Sequence, residues 1–352
     1  MPVAATARPE RPLRFAHLPP LPLECGEVLP HPTVAYHLDG TINAARDNVV
    51  LVLHALTGSA DAAGDWWKGL IGPGAAIDTD QYAVLAPNLL GSCYGTTGPA
   101  DGERFPAITT RDQARAVGVL LEALGIPRVA LVTGGSLGGM VALEFVATFP
   151  GRAARAAVLA APAAQPAVAI GWSHVQREAI RVGGADGLRL AREVAMLTYR
   201  APAGLEERFG RLRGGAGAFA VQEWLAAHGR RLDARFRVAS YLALLDAMDA
   251  HDIGRGRGGI GERLRESGTA LTGVGIPGDL FAPAEEVERW VRAAGGTYRT
   301  IESAHGHDAF LIETAQVAAL LREALGAGRE APDARRERQD RTDRLALVRE
   351  VA

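Results

Sequence analysis

Cysteine is nearly absent from this chain: Cys25 and Cys93 are the only two in 352 residues. Two thiols make no disulfide framework and no metal-ligand spacing, so a stapled secreted scaffold or a zinc module is excluded. A reducing, cytoplasmic setting is expected instead. Lysine is scarcer still, with Lys68 alone among the basic residues that are not arginine. Together with abundant Ala and Gly, this reads as coding bias of a GC-rich genome and carries no function. No run approaches the ~20 apolar residues of a membrane span. No basic segment followed by a short apolar one opens the chain, so neither an anchor nor a leader is expected. The formal net charge is only −2, which argues against nucleic acid or an anionic membrane as the main partner.

What is present is an ordinary globular composition, 48% hydrophobic and 22% charged, long enough for one large domain with an insertion. Val49 to Leu53 and Tyr82 to Ala86 are continuous apolar runs of the kind buried on both faces of a parallel sheet. Thr33 to Leu38 alternates and suits an antiparallel strand. A helix with Ala114, Val117, Leu121 and Leu124 on one face follows, with Thr110 and Gln113 as its expected capping box and Gly125 as its stop. Arg155–Ala160, Ala270–Val274 and Thr297–Ile301 are further strands, Pro283–Ala294 a helix, and Ala309–Leu325 a closing helix. Between about 170 and 250 the alternation gives way to helical runs alone.

Alternating strands and helices imply an α/β fold with a mostly parallel, doubly wound sheet. The expected division is residues 1–162 (first part of the core, with an N-terminal arm), 163–267 (a helical lid), 268–326 (second part of the core) and 327–352 (a charged tail). The tail mixes Arg with Asp and Glu and so does not form a basic patch.

The chemistry centres on Gly134-Gly135-Ser136-Leu137-Gly138-Gly139-Met140, where an apolar strand meets an apolar helix. Gly134-x-Ser136-x-Gly138 in that context is the pattern of a nucleophile elbow. A serine hydroxyl needs a base, and the base needs an acid to fix its tautomer. Asp279 and His307 follow in the required order, each just past a strand. His307, in Gly-His-Asp-Ala-Phe, is the expected base and His305 a loop residue. The N–H groups of Leu137 and Leu56 are the expected oxyanion donors; His54 is expected to be scaffold. No cluster at ligand spacing supports a metal.

Several segments together resemble the homoserine O-acetyltransferase family. They are Leu53-His54-Ala55-Leu56-Thr57-Gly58, Gly64-Asp65-Trp66-Trp67, Leu90-Gly91-Ser92-Cys93-Tyr94-Gly95-Thr96-Thr97-Gly98-Pro99, the Ser136 corner, and Gly306-His307-Asp308-Ala309-Phe310-Leu311. The match runs in order from about residue 30 to 325. The resemblance implies an α/β-hydrolase fold with a helical lid, a homodimer formed through lid helices, and Ser136, Asp279 and His307 as the triad. It implies ping-pong transfer of an acetyl group from acetyl-CoA, a co-substrate, to L-homoserine in methionine biosynthesis, with no cofactor. Arg192 and Tyr199 of a lid helix, Asp308 and Thr57 inherit substrate-binding roles. These suit an amino-acid acceptor, whose carboxylate pairs with Arg and whose ammonium needs an anion.

The chain departs from the family pattern in two places. Arg181 to Asp186 is a shortened link between lid helices, and Gly254 to Gly259 is glycine-rich; both bear on the acyl donor's entrance. One methylene is worth only ~1–3 kcal/mol of discrimination, so a succinyl donor or a serine acceptor stays open. So do an esterase on the same fold and a binding protein without activity.

Overall fold

In a computed structural model of the chain, residues 11–100, 104–215 and 217–326 are described. The charged tail expected at 327–352, and the first ten residues of the arm, lie outside them.

Eight strands form the central sheet: β1 Arg14–His17, β2 Thr33–Asp39, β3 Val49–Leu53, β4 Ala83–Pro87, β5 Leu131–Gly135, β6 Arg155–Leu159, β7 Ala270–Gly275 and β8 Thr297–Thr300. Their spatial order is β1-β2-β4-β3-β5-β6-β7-β8. β1 and β2, and β2 and β4, pair antiparallel; every later pair is parallel. The order reverses around β3, so the loops after β3 and β5 open side by side at the sheet's C-terminal edge, where open α/β sheets place ligand sites.

The all-apolar sequence of β3 follows from burial on both faces. Leu51 and Leu53 point into one core cluster, with Leu85, Val132, Leu143 and Phe145. Val50 and Val52 point into the other, with Trp67, Phe310, Val317 and Leu321. All five residues of β3 are fully buried, each contributing about 1.5–3 kcal/mol by removal from water.

The helices are α1 Thr110–Ala123, α2 Leu137–Thr148, α3 Ala167–Gly183, α4 Gly187–Thr198, α5 Pro202–Phe209, α6 Ala220–Asp233, α7 Val238–Asp249, α8 Ile260–Glu266, α9 Ala284–Ala294, α10 Ala309–Ile312 and α11 Thr314–Leu325. α3 to α8 lie between β6 and β7, a helical insert.

Three local expectations are corrected. The cap of α1 is Thr109 with Asp112, not Thr110 with Gln113. Gln113 instead turns inward, accepting from the N–H of Leu90 (2.8 Å) and donating to its carbonyl (2.7 Å), which pins the loop after β4. The closing helix is broken in two, because Glu313 leaves helical geometry at ψ 58° while its carboxylate accepts from the Ser303 hydroxyl at 2.7 Å. Where the apolar run Val129–Val132 predicts an elbow strand from Val129, the strand begins at Leu131, and Val129 forms only an isolated bridge to Ala153.

The short link between α3 and α4 is a single 3-10 turn, Gly184–Asp186. Gly187 permits it: a Cβ there would lie 2.6 Å from the carbonyl oxygen of Ile180. The Gly254–Gly259 segment is stitched to the core, with Arg257 pairing with the fully buried Glu144 at 2.6 Å and Arg255 with Glu24 at 2.6 Å.

Candidate active site

Ser136 stands between β5 and α2 with φ 55° and ψ −127°. Positive φ is rare for a residue with a Cβ and persists only where the surroundings enforce it. Here they do. A Cβ on Gly134 would lie 2.6 Å from the Leu53 carbonyl oxygen, one on Gly138 would overlap that same oxygen, and one on Gly139 would lie 2.7 Å from the Ala161 Cβ. The backbone is held on both sides: the Ser136 N–H donates to Leu159 O (3.0 Å), and its carbonyl accepts from the Met140 N–H (2.9 Å). The hydroxyl is thereby raised at the N-terminus of α2, where developing negative charge is favoured.

Asp279 follows β7 and does two things at once. Its Oδ1 accepts from the N–H groups of Phe281 and Ala282, both at 2.8 Å, and its Oδ2 meets His307 Nδ1 at 2.6 Å. Both side chains are buried. Burial pushes the His307 pKa down, but the charge and hydrogen bond of Asp279, with a smaller push from Asp308, leave it raised above its ordinary 6.5. The Nε2 of His307 is buried and has no hydrogen-bond partner, Ser136 included; such contacts commonly close only around substrate. Phe310 packs against the imidazole (centroids 5.7 Å) and also fills the space a Cβ on Gly135 would need, so the His307 loop sits directly on the elbow.

The loop after β3 is fixed by His54. Its Nδ1 bonds the Ala55 carbonyl (2.8 Å), and its Nε2 accepts from the Leu89 N–H (2.9 Å). That neutral tautomer agrees with a pKa pushed down to about 4 by burial. The Leu56 N–H shares its peptide group with that Ala55 carbonyl, and the Thr57 carbonyl follows two peptide groups on. Among the described residues no acceptor takes the N–H of Leu56 or of Leu137, which leaves both available to an oxyanion. The Thr57 carbonyl accepts from Arg235 (2.8 Å), and Arg235 also donates to the Tyr94 hydroxyl (2.7 Å).

From the insert, Tyr199 caps α4 and lays its ring 5.4 Å from that of His307, tilted 33°. It is buried, which pushes its pKa up to about 12. Arg192, two turns earlier on α4, places its guanidinium 5.6 Å from the Tyr199 ring centroid and has no carboxylate partner among the described residues. Asp308 is paired, with Arg200 reaching its Oδ2 at 3.1 Å. The sequence reading missed Arg200, Arg235 and Tyr94. Arg200 has a signal, adjacency to Tyr199; Arg235, whose side chain bonds the distant Thr57 and Tyr94, has none. Among the described residues no group of three or more His, Cys, Asp or Glu could hold a metal ion, and no helix is long and apolar enough to cross a membrane.

Residues 48–224 match the family described as alpha/beta hydrolase fold. The chain is 42% identical over 348 residues to the homoserine O-acetyltransferase of Thermobifida fusca strain YX, covering 87% of this chain and 91% of that protein. The chain belongs to the homoserine O-acetyltransferase family. A solved homoserine O-acetyltransferase of Staphylococcus aureus superposes with a TM-score of 0.79 at 28% identity, covering 92% of this chain and 97% of the other. The structure of esterase E22 superposes with a TM-score of 0.82 over 90% of this chain and 100% of the other, but at 20% identity that likeness speaks to the fold alone. The α/β-hydrolase architecture is thus that of homoserine O-acetyltransferases, with Ser136, Asp279 and His307 gathered at one edge of the sheet.

Proposed function

We propose that this protein acetylates the hydroxyl of L-homoserine with acetyl-CoA by a ping-pong mechanism, as a step of methionine biosynthesis. His307 takes the Ser136 proton as Oγ attacks the thioester carbonyl. The N–H groups of Leu56 and Leu137 stabilise the oxyanion. The C–S bond breaks, CoA leaves as the thiol with the proton from His307, and the acetyl group remains on Oγ. L-Homoserine then binds with its carboxylate on Arg192, beside Tyr199, and its ammonium at Asp308. His307 deprotonates its hydroxyl, which attacks the acetyl ester, and the proton returns to Ser136. Burial of the site under the insert favours transfer over hydrolysis.

The observation that carries this reading is the pairing of charges around the base. A cation without a carboxylate (Arg192) and a carboxylate (Asp308) flank the Tyr199–His307 stack, which describes an amino-acid acceptor in place of water. The test is CoA thiol release with acetyl-CoA or succinyl-CoA against L-homoserine or L-serine. Ser136→Ala should abolish release; undiminished release would sink the scheme.

The reading extends to a cytoplasmic homodimer. Val168, Val175 and Val182 recur every seven residues along α3 and are 44–67% exposed, with Leu190 and Leu197 of α4 at 42% and 45%. Such a stripe suits a second copy, and light scattering of V175E against the parent protein tests it. A mass that does not fall towards the monomer argues against that face.

A further inference from the structure

The turn that ends α4 is packed onto the loop carrying His307. The Asp308 N–H donates to the Tyr199 carbonyl at 3.2 Å. Gly306, at φ +63°, allows the contact, since a Cβ there would lie 2.6 Å from the Ala201 nitrogen and 3.0 Å from the Arg200 carbonyl carbon. Within this joint Arg200 Nη2 lies 3.1 Å from Asp308 Oδ2, each side chain only 14% exposed. The Trp224 ring centroid lies 5.8 Å from the guanidinium carbon, on the guanidinium's face towards α6. The Arg200 Nε is buried without a partner. The closest approach of the guanidinium to the carboxylate is at Oδ2, and no hydrogen bond from a described residue reaches Oδ1.

We propose that Arg200 is a positioning residue for the acyl acceptor: it fixes the Asp308 carboxylate through Oδ2 and so presents Oδ1 to the acceptor's ammonium. This rests on the reading of Asp308 as the ammonium site. A carboxylate one residue from the base and largely buried would otherwise be free to rotate. Each orientation away from the ammonium costs acceptor binding. Arg200 does not substitute for the ammonium, because Trp224 and the α4 turn hold it to one side of the carboxylate.

The test is steady-state kinetics of R200Q, R200K, D308N and R200Q/D308N, with thermal melts confirming that each is folded. R200Q is expected to raise the KM for L-homoserine about tenfold or more, the loss of one charge-assisted contact. That rise should exceed any change in the KM for acetyl-CoA and any fall in kcat. R200K, which keeps the charge, should recover much of the loss. In the D308N background R200Q should add little, since the two residues act through one carboxylate. A homoserine KM within twofold of the parent enzyme, a parallel change for both substrates, or full additivity with D308N overturns the role of Arg200. If D308N itself leaves the homoserine KM unaltered, the ammonium reading of Asp308 fails and the role of Arg200 falls with it. Elevation by D308N without elevation by R200Q defeats only Arg200.

Discussion

Replacing Asp279 by Asn keeps a group of the same shape beyond β7 while changing its charge and turning one acceptor into a donor. The Oδ1 of the amide can still accept from the N–H groups of Phe281 and Ala282, now at 2.8 Å each. The amide NH2 then faces His307 Nδ1, where the carboxylate stood at 2.6 Å. A donor there forces the ring to present its Nδ1 lone pair and to carry its proton on Nε2. That is the atom required to accept the Ser136 proton. The analogous change in a serine protease triad lowers kcat about 10⁴-fold by this inversion, so D279N should lose roughly 10³–10⁴ in rate, about 4–5.5 kcal/mol of barrier. Its fold should weaken by no more than ~1 kcal/mol, because the turn keeps its cap. Asp279→Ala makes the contrast. It leaves two buried N–H groups unpaired at about 1–3 kcal/mol each, so its melting temperature should drop as well as its activity. The assay is stopped-flow release of the CoA thiol, with thermal melts of both variants. D279N retaining more than a tenth of the parent rate, or melting as early as D279A, would refute the division of labour between the two carboxylate oxygens.

Gly138→Ala should fail at the elbow, because its Cβ would overlap the Leu53 carbonyl oxygen. The expected cost is about 1–3 kcal/mol of stability with a much larger loss of rate, read as a melt and a thiol-release assay on the same sample; parent-like activity would contradict the packing. Because the His307 pKa is raised above 6.5, chiefly against burial by Asp279, acetyl-enzyme formation at low acetyl-CoA should climb with pH through a midpoint above 6.5. D308N should move that midpoint down, and an acid limb below 6.5 in the parent enzyme would be the wrong sign. His54 and His251 are both fully buried with pKa values pushed from 6.5 down to about 4 by burial. The unfolded chain binds protons that the fold refuses, so stability is retained above pH 6.5 and lost as pH falls from 6.5 towards 4. The loss is on the order of 3 kcal/mol for each histidine, and H251Q should show a flatter dependence of melting temperature on pH over that window.

The middle of the sheet was legible because β3, β4 and β5 are buried on both faces: Val49–Leu53 has no polar position at which a reader could misplace it. The Ser136 corner was legible because its glycines answer to sterics, and a carbonyl oxygen of Leu53 stands where two of their Cβ atoms would be. Asp279 and His307 were legible from chain order, although sequence could not show that Asp279 also caps its own turn. What escaped were contacts set by tertiary packing. Thr110 and Thr109 are equally good capping residues by type, and only the inward turn of Gln113 to Leu90 decides between them. Glu313 reads as a helix former, yet its backbone leaves helical geometry while its carboxylate accepts from Ser303. Arg200 carries no such signal beyond its adjacency to Tyr199, because its partner Asp308 lies more than a hundred residues away.

The joint between the α4 turn and the His307 loop has a mechanical consequence. The base is tethered at one end to β8 and along its side to the insert, through the Tyr199 carbonyl, Arg200 and the close approach at Gly306. A hinge that lifts the end of α4 from the sheet either breaks all three contacts or draws the imidazole away from Ser136. Movement of the end of α4 is therefore coupled to the position of the His307 loop. Under the proposed ping-pong scheme, which leaves an acyl ester waiting between two substrates, that coupling ties the place of the insert to the place of the base.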